Sequence, residues 1–335
     1  MLFLFCFDLK AQEEEDVPIA PDRELEGVLK AATRFKPRPK FFELNTVVFT
    51  DFLVEAESDI EGDEDAIVSQ NLIREAKLKF PMVLKEKVNL IGGLGYRHEQ
   101  FKFSDQSDPE YPLFQRFDDR SLKRYSFSLY YKRDLSETKF LFMFLSSSLN
   151  SDDPGFDNFR NQLKSSLTTL IGKQVSVHKQ RGFGISFGYD FGQPAIFPVY
   201  LLNNDFALKW GYELLLPKSA KLRYSPSESD HIYTTLELQG ASYHLQDTLF
   251  ESFDALEFRR SSVRWTLTYE REIHDWLWAG ATVGYRYPIN IFISRPRERR
   301  RDALMLINAE NALYFQFSLF LVPPNKLFNK AKGSG

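Results

Sequence analysis

From about residue 40 onward, apolar and polar positions alternate with a period of two. In RGFGISFGYDFGQP the odd positions are Phe183, Ile185, Phe187, Tyr189 and Phe191. The even positions are small or polar: Gly182, Gly184, Ser186, Gly188, Asp190 and Gly192. The same rhythm sets Leu208, Trp210, Tyr212 and Leu214 against Lys209, Gly211 and Glu213. It sets Val263, Trp265, Leu267 and Tyr269 against Arg264, Thr266, Thr268 and Glu270. Leu78, Phe80, Met82 and Leu84 alternate with Lys77, Lys79 and Lys85, and Tyr125, Phe127, Leu129 and Tyr131 with Ser126, Ser128 and Lys132. Successive strand side chains point to opposite faces, so each segment predicts a strand with one apolar face. The aromatic and β-branched residues agree.

The pattern predicts strands over 41–54, 72–86, 87–104, 122–133, 138–148, 163–178, 182–192, 195–202, 206–216, 220–226, 231–245, 256–272, 275–293 and 312–322. Connections near Lys85, Asp134, Gln180, Asn204, Glu228 and His274 are short. Those at 55–71, 105–121, 149–162, 246–255 and 294–311 are long and mostly charged, while those near Gln193 and Lys218 are brief. An antiparallel meander with tight turns at one end and long loops at the other is the plan of a membrane barrel. The expected fold is therefore all-β: an antiparallel up-and-down transmembrane β-barrel of about 12–14 strands over 41–324.

The direction of the apolar face separates this reading from a soluble sandwich. Many strands reach the roughly 9–11 residues needed to cross a bilayer on a tilt. Aromatic residues make up 15% of the chain, with 32 Phe and 15 Tyr, more than one interior layer between two sheets would use. Mean hydropathy is nevertheless negative, at −0.35. The apolar bulk is interleaved with polar residues, and no uninterrupted apolar run approaches the length of a transmembrane helix. Tyr285, Tyr287, Trp276 and Trp278, near strand ends, are expected to form interfacial girdles.

The chain opens MLFLFCFDLKAQ, an apolar run with a small-residue cleavage point after Ala11, which reads as a secretory signal peptide over 1–11. Phe5 before Cys6 is too large for a lipoprotein signal. Residues 12–40, charged and carrying Pro18, Pro21, Pro37 and Pro39, read as a polar periplasmic leader, and 325–335 as a polar tail. Cys6 is the only cysteine, so no intramolecular disulfide or cysteine-based metal cluster is expected. A formal net charge of −3 gives no footing for a nucleic-acid partner.

Candidate chemistry is sparse. The glycines at 182, 184 and 188 lack phosphate-loop spacing and a following helix, and Gly92, Gly93 and Gly95 likewise sit inside an alternating strand. The acidic run ESDIEGDED, counted as an EF-hand from Glu57, puts Gly62 at the turn but Val68 where the bidentate acid belongs. It reads as a solvated loop. The basic run SRPRERRRD, with Arg295, Arg297, Arg299, Arg300 and Arg301, reads as a solvated loop that could also pair with lipid-A phosphates. His98, His178, His231, His244 and His274 form no Ser–His–Asp or metal-ligand spacing. No catalytic set, cofactor motif or metal site emerges. The charges placed on the polar faces are Lys77, Lys79, Arg97, Lys132, Lys209, Glu213, Glu237, Arg264, Glu270 and Arg286. They are the candidate lumen-lining residues, and they suit either a watery pore or cross-lumen pairing that closes it.

LLLPKSAKLRYS, TLELQGASYHL, LEFRRSSVRWTLTYEREIHDWLWAGATVGYRY and the closing FQFSLFLVPP resemble an uncharacterised outer-membrane β-barrel family of Bacteroidota. The resemblance spans roughly 40–324. It implies architecture and a bacterial outer-membrane location, and brings no substrate or catalytic residue. The partners expected of such a barrel are outer-membrane lipid, with lipopolysaccharide as a further candidate, and the barrel-assembly machinery, and the expected state is a monomer. Many such barrels end on an aromatic that the insertion machinery reads; here PPNKLFNKAKGSG follows the last strand, leaving Phe317 or Phe320 as internal stand-ins. Three functions are compatible: a small pore or transporter for polar solutes, a plugged barrel with a structural or surface-interaction role, and a lipid-modifying enzyme whose nucleophile and base are not visible in the sequence.

Overall fold

The computed structural model describes residues 37–155, 159–189, 191–245, 255–296 and 298–324. The expected signal peptide, most of the leader, the polar tail, Cys6 and Arg297 lie outside them. In chain order the strands are β1 (Phe42–Phe49), β2 (Phe52–Glu57), β3 (Glu64–Lys85), β4 (Val88–Ser104), β5 (Leu122–Asp134), β6 (Lys139–Ser151), β7 (Leu163–Ser176) and β8 (Lys179–Gly188). There follow β9 (Ala195–Ala207), β10 (Trp210–Leu216), β11 (Ser219–Tyr224), β12 (Asp230–Leu245), β13 (Leu256–His274), β14 (Leu277–Ser294), β15 (Met305–Ala309) and β16 (Ala312–Leu321). Among the described residues two α-helices join them, α1 (Pro112–Asp119) between β4 and β5 and the single turn α2 (Phe159–Gln162) before β7, with a 3-10 turn at Arg300–Asp302 before β15.

Consecutive strands pair antiparallel around one sheet. Closure comes from the two ends of the chain. β1 pairs with β3 on one side and β16 on the other, and β2 does the same with β3 and β15. β1 and β2 are thus two halves of one stave, as are β15 and β16, so the sixteen segments make a closed fourteen-strand transmembrane barrel. Both halved staves break at the same level. There Thr50 N–H donates to Leu313 O at 3.0 Å and Glu310 N–H to Leu53 O at 2.9 Å. A closed ring leaves no strand edge to be satisfied by water, which a bilayer interior does not supply.

The alternation sorts the two faces. On β8, Phe183 is 65% and Phe187 61% exposed on the outer surface, whereas Gly182, Ser186 and Gly188 are buried. Trp265, Leu267 and Tyr269 on β13 and Leu313, Phe315, Phe317 and Leu319 on β16 are also exposed, forming the apolar outer band of the wall. Small inward residues give the wall its curvature. A Cβ on Gly184 would lie 2.0 Å from Thr169 O of the neighbouring strand.

Several expectations are corrected. Gly188 has a φ of +129°, which ends β8 there. Phe191 leaves the lipid-facing stripe and packs at a tilt against Phe197, 4.8 Å between centroids. Trp278 is 2% exposed and stacks inside on His231, so it is no girdle residue, unlike the exposed Trp276, Tyr285 and Tyr287. The long acidic connection at 55–71 is mostly strand, because β2 and β3 continue the hairpin outward and leave only 58–63 as turn. The connection at 105–121 contains α1, and that at 294–311 contains β15. In these extensions the sorting of faces inverts: inward residues such as Phe52, Val54, Val68 and Ile307 are apolar and buried, while Glu55, Glu57 and Asn308 are exposed.

The wall is uneven in height. β10 has 7 residues and β11 has 6, and β11 pairs with β12 only as far as Ser219↔Glu237. Beyond Glu237, β12 leaves its neighbour and leans inward until His244 pairs in parallel with Ser151 of β6. Asn150 Nδ2 donates to Ser242 O at 2.9 Å to hold this seam. Consequently Ala241, Ser242, Tyr243, His244 and Leu245 are buried on both faces. At its loop end the ring bypasses β7–β11.

A polar vestibule beneath an arginine layer and an apolar plug

Two interior spaces lie in line along the bore. The larger, a cavity of about 580 Å³, occupies the end with short turns. Lys77 of β3, Arg97 of β4, Glu213 of β10, Glu237 of β12, and Arg264 and Glu270 of β13 line it. Each stands on an inward position of its strand, and its outward neighbours are apolar except for His98 beside Arg97 and Arg271 beside Glu270. Residues before β1 complete the mouth: Lys40 donates to Glu270 at 2.7 Å, and Arg38 donates to Glu272 and Asp275. Four of the ten candidate charges lie elsewhere. Arg286 of β14 lines the second space. Lys79 stands over the Tyr130 ring at 5.4 Å, and Lys132 pairs with Asp134 at 3.4 Å. Lys209 occupies the turn between β9 and β10, where its carbonyl accepts from Ser225 N–H.

The second space, about 70 Å³, is apolar and sits at the loop end. It exists because α1 packs against the inner wall. Pro112 starts the helix, and the spacing of Leu113, Phe114 and Phe117 puts three fully or nearly buried side chains toward the bore. Phe114 packs on Phe103 at 5.0 Å, and Phe117 on Phe101 at 5.7 Å and Phe258 at 5.0 Å. With Phe49, Phe52, Tyr243, Leu245 and Leu256 they belong to one continuous core filling the loop end of the barrel. Arg116, on the helix's other side, pairs with Asp152 beside the β6–β12 seam. Tyr111 Oη donates to Gly62 O at 2.9 Å, and its phenol is pushed up to about 12 by burial, then by Glu61, Asp63 and Glu64.

Between the spaces runs a charged layer. Glu99 of β4 is the hub, accepting from Arg97 at 3.1 Å, from Asn71 at 3.2 Å and from both terminal nitrogens of Arg260. Glu75 accepts from Arg97 at 2.7 Å and pairs with Lys77 at 3.0 Å. Arg264 and Arg286 are direct cross-strand partners on β13 and β14. Among the described residues neither has a carboxylate partner. Glu237, opposite Arg264 on β12, accepts instead from Gln239 at 2.6 Å.

Sequence reasoning did not single out Glu75, Glu99, Arg260 or the plug. Glu99 and Arg260 share strand parity with Arg97 and Arg264, so the inward pattern did contain them. The helical spacing in PLFQRFDD was also readable. The acidic run proves partly structural, since Glu64 accepts from Ser107 N–H at 2.6 Å and Asp108 N–H at 2.9 Å. In the basic run, Arg295 pairs with Glu298 and Arg301 with Asp302, on an exposed surface. Among the described residues, no group of three His, Cys, Asp or Glu is placed to hold a metal ion.

A closed barrel with an apolar outer band, a polar vestibule and an inner plug is a transmembrane β-barrel of channel-like design. Residues 70–290 match the family described as domain of unknown function DUF6268, and since this is more than half of the 335 residues, the chain belongs to that family. No curated protein matches the sequence. Among solved structures it is similar to the toluene transporter TodX of P. putida, with a TM-score of 0.42 and 9% identity over 86% of this chain and 91% of that one. A Pseudomonas aeruginosa FadL homologue gives 0.35 and 8% over 90% and 99%. The NanC porin gives 0.35 and 5% over 84% and 100%. At these scores the likenesses add no argument, and the closure stands on this chain's own strand pairing.

Proposed function

We propose that this protein is a monomeric barrel of a Gram-negative outer membrane that passes a polar or amphipathic solute, and that α1 and the β12–β13 tongue hold it shut. The observation that carries this reading is the interrupted bore. A charged vestibule of about 580 Å³ ends at an arginine layer, with an apolar core above it. A purely structural barrel has no need of a hydrated cavity lined by charges of both signs. The closed ring and the apolar outer band support that location, since they suit outer-membrane barrels, whose short turns face the periplasm. Insertion then falls to the barrel-assembly machinery, and the exposed Arg295, Arg299, Arg300 and Arg301 face lipid-A phosphates.

Planar-bilayer recordings test it. The wild-type barrel should be nearly silent, and deletion of Pro112–Asp119 should produce steady ion conductance. If the deletion variant inserts and folds but stays silent, the plugged-barrel reading replaces this one. That reading has its own support in the buried pairs Arg116–Asp152 and Lys164–Glu257, which brace the loop end.

A further inference from the structure

The two arginines without carboxylate partners stand where the vestibule meets the apolar pocket. Arg264 lines both spaces, and Arg286 lines the apolar one. Their side chains share one ring, with the Arg264 guanidinium 5.7 Å and the Arg286 guanidinium 4.6 Å from the Phe49 centroid. Arg286 also faces Phe52 at 4.3 Å, and Arg264 faces Tyr314 at 5.4 Å. Arg286 is 7% exposed, yet its Nε and one terminal nitrogen have no hydrogen-bond partner. The Nε of Arg264 is likewise unbonded.

Such an arrangement is costly as it stands. Like charges placed directly opposite on neighbouring strands repel, and a buried N–H without an acceptor has lost its water without replacement. Arg97 and Arg260, one layer away, are neutralised by Glu75 and Glu99. The glutamates leave Arg264 and Arg286 as the unbalanced part of the layer. Above them the pocket wall is hydrocarbon: Val54, Phe101, Phe114, Phe258, Ile291 and Ile307.

We infer that Arg264 and Arg286 form a binding site for an amphipathic organic anion, whose acid group sits between the guanidiniums while its apolar part enters the pocket under α1. A carboxylate would accept the free N–H groups and offset the repulsion, since a guanidinium fork matches its two oxygens. Neither half of the ligand is sufficient alone. An inorganic anion would leave the hydrocarbon wall unfilled, and a neutral apolar molecule would leave the arginines unpaired. The small pocket, about 70 Å³ with α1 in place, favours short apolar parts.

This inference names a solute class for the gated barrel proposed above and rests on that reading for its role in transport. Binding is measured without flux, so each idea can fail separately. Full-length barrel in nanodiscs is titrated calorimetrically with hexanoate, with hexanol as the neutral isostere, and with inorganic phosphate. Hexanoate should bind at least tenfold more tightly than hexanol, and phosphate should give no measurable binding. Arg286→Gln and Arg264→Gln should each remove the preference for hexanoate. Arg286→Met should abolish hexanoate binding and raise the thermal midpoint of the ligand-free barrel, because it removes the repulsion and the unpaired N–H groups. Equal binding of hexanoate and hexanol, no hexanoate binding by the wild type, or phosphate binding as tightly as hexanoate would overturn the inference. So would an Arg286→Met barrel that is less stable and still binds hexanoate.

Discussion

Arg260 of β13 and Glu99 of β4 meet across the bore, 161 residues apart in sequence, with Arg260 Nη1 donating to Glu99 Oε1 at 2.8 Å and its second terminal nitrogen donating to Oε2. Glu99 also takes a bond from Arg97, which it shares with Glu75, so one carboxylate serves two buried guanidiniums. Removing the shared partner of a buried cluster leaves charge without compensation, which costs about 3–5 kcal/mol. Glu99→Gln should therefore lower refolding stability by that order in a urea titration. The double variant Glu99→Gln/Arg260→Gln should recover part of the loss, since it no longer strands Arg260. A double variant less stable than the sum of the singles would show that the pair is not the unit of stability here.

Gly240 of β12 lies under the connection between β8 and β9. A Cβ built on it would stand 2.0 Å from the carbonyl carbon and 2.3 Å from the Cα of Phe191. Those are backbone atoms and cannot rotate away, so Gly240→Ala forces the connection off the wall. Overpacking of this kind costs roughly 1–3 kcal/mol. Chymotrypsin should then cleave after Phe191 in the folded variant much faster than in the wild type. Unchanged cleavage would mean that the connection does not rest on β12.

The membrane wall was legible in the sequence because a period of two admits only one sorting of side chains. Phe183, Ile185 and Phe187 declare the outer face while Gly182 and Ser186 declare the inner one. The same rule failed at its limits. Phe191 keeps the phase of the stripe, yet the backbone turns at Gly188, and periodicity carries no information about where a strand stops. Trp278 has the aromatic character of a girdle but the parity of the interior, and parity decides. The ten candidate charges were chosen by parity, and six of them line the vestibule. Which carboxylate meets which guanidinium depends on which strands face each other across the bore, as with Glu99 and Arg260. Local patterning holds no trace of that. The plug was readable only as an amphipathic helix, since nothing in PLFQRFDD tells whether its apolar side meets the bore or lipid.

Phe114 is fully buried at the centre of the plug, between Phe103 and Tyr111. Phe114→Ala should cost about 3–5 kcal/mol by the ordinary cavity effect. The location of the damage should be confined to the loop end, because the fourteen-strand pairing does not involve α1. Heat-modifiability on a gel should still show a folded barrel, while bilayer recordings should show brief openings absent from the wild type. A variant that folds and remains silent would indicate that the tongue of β12 and β13 closes the bore without the helix.

Leu267 and Thr266 are neighbours on β13 with opposite fates. Leu267 is exposed in the apolar outer band, whereas Thr266 lines the vestibule. An arginine introduced at Leu267 would have to enter hydrocarbon, at about 2–4 kcal/mol near the bilayer midplane. At Thr266 the same arginine would reach water and lie among acids such as Glu237 and Glu270, which line the same cavity. Refolding titrations of Leu267→Arg and Thr266→Arg in lipid vesicles should therefore separate by most of that penalty, with Leu267→Arg the weaker. The contrast depends only on which side faces lipid, and it is independent of what the barrel carries. Equal losses for the two variants would sink the face assignment on β13, and with it the argument that the vestibule is the inside of a membrane-spanning wall.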